Sequence, residues 1–241
     1  MLNLLRSEAY RLARKRSMYI YIVALLLGYA LLVFVRSGGF TAESVVSDSS
    51  NFNFFPALAG AFLFSAIYTD DLNSKNLATL VGYGLSKTTI VMAKFITSVV
   101  SSVIFFVLLV GVHCAMYAVL GFAPTPRDVG WVFAFGLKYT LMTIVFMALS
   151  SIVVYGFQRT TFALVTYILF GFGIVTSLIK VADSVLKLKL ADYLVSSLTD
   201  NITYGLISGT SALPSVVGYL GYLIVALVLA AVAFNRKEME F

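Results

Sequence analysis

The sequence predicts an all-α integral membrane protein with six transmembrane helices, and three observations carry that prediction. The 241 residues are 60% hydrophobic and only 12% charged, where soluble domains run near a quarter charged, and the mean hydropathy is +0.96. Apolar runs long enough to cross about 30 Å of hydrocarbon occur six times, near 18–36, 53–69, 92–120, 130–156, 162–180 and 215–234. Eleven of the 17 Lys and Arg residues fall on the side of the termini and of the connections after the second and fourth runs, against six on the other side. Lys and Arg concentrate in cytoplasmic connections, so both termini are expected there. The net charge of +6 is thereby divided across a bilayer and does not point to nucleic acid.

The chain reads as one membrane unit over 1–241, with no room for a soluble domain between the runs. Its first sixteen residues, MLNLLRSEAYRLARKR, are too charged to cross. Met1, Leu2, Leu5, Ala9, Leu12 and Ala13 share one helical face opposite Asn3, Ser7, Arg11 and Arg14, which predicts an interfacial helix over 1–17 on anionic headgroups. A cleaved signal peptide is the rival reading. Against it, the apolar run that follows is longer than a signal core and lacks a small-residue cleavage site. The third and fourth runs exceed the length a bilayer needs and are expected to tilt or project. Over 181–214 the outer connection places Ala182, Val185, Leu186, Tyr193, Leu194 and Leu198 at helical spacing, which predicts a helix at the outer interface before the sixth span.

Tyr19, Tyr21, Phe52, Phe54, Phe55, Trp131 and Phe133 cluster at run ends, as aromatic belts do. Gly171, Gly173, Gly218 and Gly221 permit close helix contact. Cys114 is the sole cysteine, which excludes an internal disulfide and any multi-cysteine metal site. His113 is the sole histidine and falls inside the third run; a helix–helix hydrogen bond and a proton relay are the two roles open to it. Lys138 lies inside the fourth run, where it either snorkels outward along its alkyl stem or contacts a transported substrate. Asp70-Asp71 marks the end of the second run or binds a cation. No HExxH, nucleophile elbow or carboxylate–histidine spacing surrounds these groups.

The cytoplasmic connection over 70–90 contains VGYGLSKTTI, Val81–Ile90, which ends like a phosphate-binding loop. Such a loop needs glycine directly before the lysine and again five residues earlier. Ser86 and Val81 stand at those places, so ATP binding by this stretch is not expected. Leu77, Ala78, Leu80 and Val81 gather on one face of a short helix, with Lys75, Asn76 and Thr79 on the other. Gly82 then suits its C-cap, Gly84 adds a second flexible position, and Ser86 N-caps the third span.

In this loop the sequence resembles the membrane subunits of ABC-2 type exporters, particularly the small permeases of Gram-positive peptide and bacteriocin-immunity transporters. The layout matches along the whole chain, and the loop is the most specific part. Asp70 or Asp71 ends the second span, Leu72–Val81 form the short helix, Gly84-Leu-Ser-Lys87 form the turn, and Lys94 enters the third span. Asn73-Ser-Lys75 stands where many members carry Glu-Gly-Thr. The resemblance implies a multi-pass permease in a bacterial cytoplasmic membrane, paired with a second copy or a paralogue, with two ABC ATPase subunits that carry the ATP-Mg; this chain itself holds no cofactor and is not an enzyme. The residues expected to meet the ATPase are Asp70, Asp71, Leu72, Asn76, Leu77, Leu80, Gly84, Ser86 and Lys87, and the expected cargo is an amphipathic peptide or hydrophobic compound. A stand-alone channel or proton-coupled carrier using His113 and Lys138 is the competing class.

Overall fold

The computed structural model describes residues 1–36, 41–69, 72, 76–187 and 190–237, and every regular element among them is helical. Asp70, Asp71, Ser74 and Lys75 lie outside the described residues. Helix α1, Leu2–Arg14, ends where Lys15 turns extended (φ −78°, ψ 100°), and α2, Arg16–Arg36, follows at once. The buried side of α1 is Leu4, Glu8 and Leu12, while Met1 and Leu2 are exposed. The expected apolar arc is therefore turned by part of a helical step, because a carboxylate on the buried stripe finds basic partners described below.

Helix α3, Ala42–Thr69, is 28 residues long and begins eleven residues before the expected start of the second run. Thr41 N-caps it in a capping box with Ser44. Asp48 and Ser49, the buried polar residues of its first two turns, are satisfied: the Tyr117 hydroxyl donates to the Asp48 carboxylate, and the Ser49 hydroxyl donates to the Val46 carbonyl at 2.5 Å. Phe52 and Phe55, expected in an interfacial belt, are instead core residues at 0% and 1% exposure. Pro56 cannot donate a helix hydrogen bond, and the ladder around it widens to a π pattern over Phe55–Ala59, as at other helix irregularities.

After the short helix α4, Asn76–Gly82, come α5, Lys87–Val119, and α6, Pro126–Phe157. Ser86 N-caps α5 by accepting from the Thr89 amide at 3.2 Å, as expected. The α4 C-cap is different. Gly84 (φ +82°), not Gly82, takes the left-handed position. The Gly84 amide donates to the Val81 carbonyl at 2.9 Å and the Leu85 amide to the Leu80 carbonyl at 3.2 Å, which is a Schellman closure. A Cβ at Gly84 would meet nothing within 4 Å, so Gly84→Ala carries only the left-handed backbone cost of about 1 kcal/mol. It is expected to lower the thermal unfolding midpoint modestly without changing membrane insertion.

The expected fifth span is broken. Helix α7, Thr160–Gly171, and α8, Ile174–Leu186, meet at a 56° bend, where Gly173 (φ +70°) supplies the turn. Five described helices are long and apolar enough to cross a membrane, or six when this bent pair is one span. The expected outer helix is likewise divided. α8 stops at Lys187, itself left-handed (φ 53°), and Asp183 accepts from the Leu190 and Ala191 amides at 2.8 and 3.1 Å, fixing a 3-10 turn before α9, Val195–Ser208. Helix α10, Leu213–Arg236, completes the described fold.

Helices α3 and α6 form the interior, with 67% and 61% of their apolar windows buried, against 11% for α2 and 17% for α10. Helix α6 packs against α5, α7, α9 and α10. Helices α3 and α7 approach closely: a Cβ on Gly171 would stand 2.8 Å from the Pro56 carbonyl oxygen, and one on Gly60 would stand 1.9 Å from Tyr167 Oη. The Tyr167 hydroxyl donates to that same Pro56 carbonyl at 2.6 Å. Of the four glycines expected at helix contacts, Gly171 and Gly218 serve that way, Gly173 makes the bend, and Gly221 faces open space.

Candidate functional site

At the end of the bundle that holds both termini, α1 is fixed to the start of α5 by charge. Glu8, 5% exposed, meets Lys94 Nζ at 2.7 Å and Arg11 Nη2 at 2.8 Å. Lys94 is itself 1% exposed. Two cations around one buried carboxylate compensate much of the desolvation that an isolated charge would suffer. Sequence reasoning placed Lys94 at the third span but missed Glu8. The available signal was the four-residue spacing of Leu4, Glu8 and Leu12, which puts the only acidic residue of the first sixteen on the buried stripe.

The α4 helix is seated by its apolar side on this same end. Leu77 is buried, and Leu72, Leu80, Val81 and Leu85 pack partly buried against the core. Leu77 is thus packed into its own chain, while Leu80 keeps part of its surface exposed. The outward side is formed by exposed Asn76, Thr79 and Gly82, and above all by Tyr83, 83% exposed. A polar cavity of about 320 Å³ joins Leu72, ahead of α4, to Gln158, Arg159, Thr160, Thr161 and Phe162. The two connections that the sequence put on one side therefore lie together.

Lys87, the lysine of the loop that mimics a phosphate site, is engaged by backbone. Its ammonium donates to the Lys237 carbonyl at 2.6 Å and the Asn235 carbonyl at 3.5 Å, and it lies 5.5 Å from the Phe234 ring centroid. A cation at the C-terminus of α10 is well placed for the helix dipole. Together with the N-capping Ser86, the stretch is a structural turn that ties α4, α5 and α10.

The groups inside the membrane spans fall into two places. His113 is fully buried. Its Nε2 donates to the Val45 carbonyl at 2.8 Å, so its Nδ1 accepts from the Tyr29 hydroxyl at 2.5 Å. It thus joins α2, α3 and α5, and Phe52 closes over it edge-on at 5.4 Å. Tyr29, Asp48 and Tyr117 were not singled out from sequence, since each is commonplace alone and only the fold brings them together. Lys138 does not stand alone: its ammonium meets Asp200 Oδ1 at 2.5 Å and lies 5.0 Å from the Tyr139 ring. That pair, with Trp131, Phe135, Asn201 and Tyr204, walls a cavity of about 310 Å³ between α6 and α9.

Among the described residues no three His, Cys, Asp or Glu side chains are grouped to hold a metal. No curated protein matches the chain. Residues 4–177, from α1 into α8, match the family model described as ABC-2 family transporter protein, and the chain belongs to that family as one of its multi-pass membrane components.

Proposed function

We propose that this chain is the permease half of an ATP-driven exporter, working as a pair with a second copy or a paralogue above two ABC ATPase subunits that hold the ATP-Mg. The observation that carries the reading is α4. A short helix stapled to the membrane bundle by its apolar side, capped at both ends of the following turn, and presenting Asn76, Thr79 and Tyr83 outward is a rigid handle for a soluble partner. The neighbouring 158–161 turn widens the contact, and α1, tied to α5 through Glu8 and Lys94, transmits movement between the surface and the spans. In this reading the termini end faces a bacterial cytoplasm. The cargo is an amphipathic peptide or hydrophobic compound of the bacteriocin-immunity type; the aromatic wall and single ion pair of the Lys138–Asp200 cavity suit a ligand with an apolar body and one charged group.

Tyr83→Asp tests the handle. Tyrosine anchors at interface centres commonly cost 2 kcal/mol or more when lost, so co-purification of the ATPase from the neighbouring reading frame is expected to weaken about 30-fold or more, with the permease still inserted. Undiminished association and cargo-stimulated hydrolysis would sink the coupling assignment. Lys87→Ala supplies the contrast: ATP binding by the isolated permease that depends on Lys87 would restore the nucleotide-loop reading.

A further inference from the structure

We infer a built site for an anionic phospholipid in the apolar cleft between α1, α2 and α5, with one acyl chain in the cleft and the phosphate at the α1–α2 junction. The cleft encloses about 510 Å³, within the range of small-ligand sites. Its roof is the underside of α1, formed by Leu5, Ala9 and Leu12; its sides are Met18 and Ile22 of α2 and a stripe of α5; Leu63 and Phe105 form its floor. The α5 stripe runs from Ile96 through Val100 and Ile104 to Leu108. Twelve residues of helix rise about 18 Å, close to the roughly 15 Å of one leaflet's hydrocarbon. The cleft therefore begins under the interfacial helix and ends near mid-bilayer, as an acyl chain does.

Charge selects the headgroup. Arg14 and Arg16 are exposed and flank Lys15 at the junction of α1 and α2, directly beside Ala13, Met18 and Tyr19 at the cleft mouth. The one carboxylate of α1, Glu8, is engaged by Arg11 and Lys94. Each Lys or Arg near a membrane surface favours anionic lipid by about 1 kcal/mol. The same charge argues against a second copy as occupant. A two-fold interface sets a patch against itself, and would bring each basic junction toward its twin, whereas a phosphate neutralises it. The site does not depend on the ATPase reading.

The single tryptophan makes the test direct. In full-length protein with Trp131→Phe, Ile104→Trp places a fluorophore in the cleft and Val228→Trp places one on the outward side of α10, where Val228 is 55% exposed. Each is reconstituted in vesicles containing brominated phosphatidylglycerol diluted in phosphatidylcholine, and in the converse mixture. Quenching at position 104 is expected to favour phosphatidylglycerol by about fivefold or more, with no preference at position 228, and Arg14→Gln with Arg16→Gln is expected to abolish the preference. Equal quenching by both lipids at position 104 would reduce the cleft to ordinary lipid contact and overturn the site. Protection from both lipids, with disulfide crosslinking between copies through Ile104→Cys, would assign the cleft to a second copy and overturn it equally. Native mass spectrometry of the unsubstituted protein gives an independent reading: one phosphatidylglycerol retained per chain in preference to phosphatidylcholine supports the site, and no retention counts against it.

Discussion

Lys94→Met is expected to cost about 3 kcal/mol and to loosen α1 from the bundle, because it strips a carboxylate that has already been taken out of water of its most buried counter-ion. Glu8 remains 5% exposed with Arg11 as its other basic neighbour, and breaking one side of a buried pair costs far more than the net stability the pair confers. Arg11 lies nearer the surface, at 26% side-chain exposure, and compensates only in part. The same logic predicts the rescue. Adding Glu8→Leu to Lys94→Met removes both charges and continues the Leu4–Leu12 stripe, so most of the loss should return. Thermal unfolding in detergent over the four combinations measures it: a favourable coupling between the two sites of about 2 kcal/mol or more. Additive effects would show that α1 is held by apolar packing alone. If α1 transmits movement, Lys94→Met should also lose transport more steeply than its stability predicts, since it leaves the α4 surface untouched.

The parts of this fold legible in the sequence are those where lipid is the solvent. A helix facing hydrocarbon must be apolar along its whole length and must satisfy its own backbone, so α2, α5, α6 and α10 are recognisable as unbroken runs. The first half of α3 is different: Glu43, Ser47, Asp48 and Asn51 resemble a loop, and while Glu43 and Ser47 stay exposed, the Asp48–Tyr117 and Val45–His113 bonds fix the other side of the helix in the core. Those partners lie more than sixty positions away along the chain. The break at Gly173 is hidden for the opposite reason, since the residues around it are as apolar as a continuous span and only the positive φ distinguishes it. The loop chemistry is local, so Ser86 as N-cap could be read directly. Which side of α4 faces outward could not. Leu77 and Leu80 have the pattern of a partner-binding face, and the same pattern serves equally to seat the helix on its own bundle.

His113→Phe is expected to destabilise the protein by roughly 2–4 kcal/mol, the size of a deleted buried polar anchor. The phenyl ring matches the imidazole poorly in shape and leaves two groups without it, the Val45 carbonyl and the Tyr29 hydroxyl. Both are in a region where water supplies no substitute. The direct interhelical bond is a smaller share. Hydrogen bonds between transmembrane helices measure about 0.6 kcal/mol on average and about 1.7 at most, so Tyr29→Phe should be milder than His113→Phe, and the pair should couple within that range. Because His113 links α2, α3 and α5, the loss should appear as earlier unfolding and faster proteolysis of the whole bundle. A proton relay predicts another pattern: intact stability in His113→Phe together with transport that no longer responds to an imposed proton gradient. The geometry favours the lock. Nε2 must donate, since the Val45 oxygen can only accept, so in the neutral imidazole Nδ1 accepts from tyrosine; a second proton on Nδ1 would reverse that bond and leave a charged ring in a fully buried site, which burial disfavours.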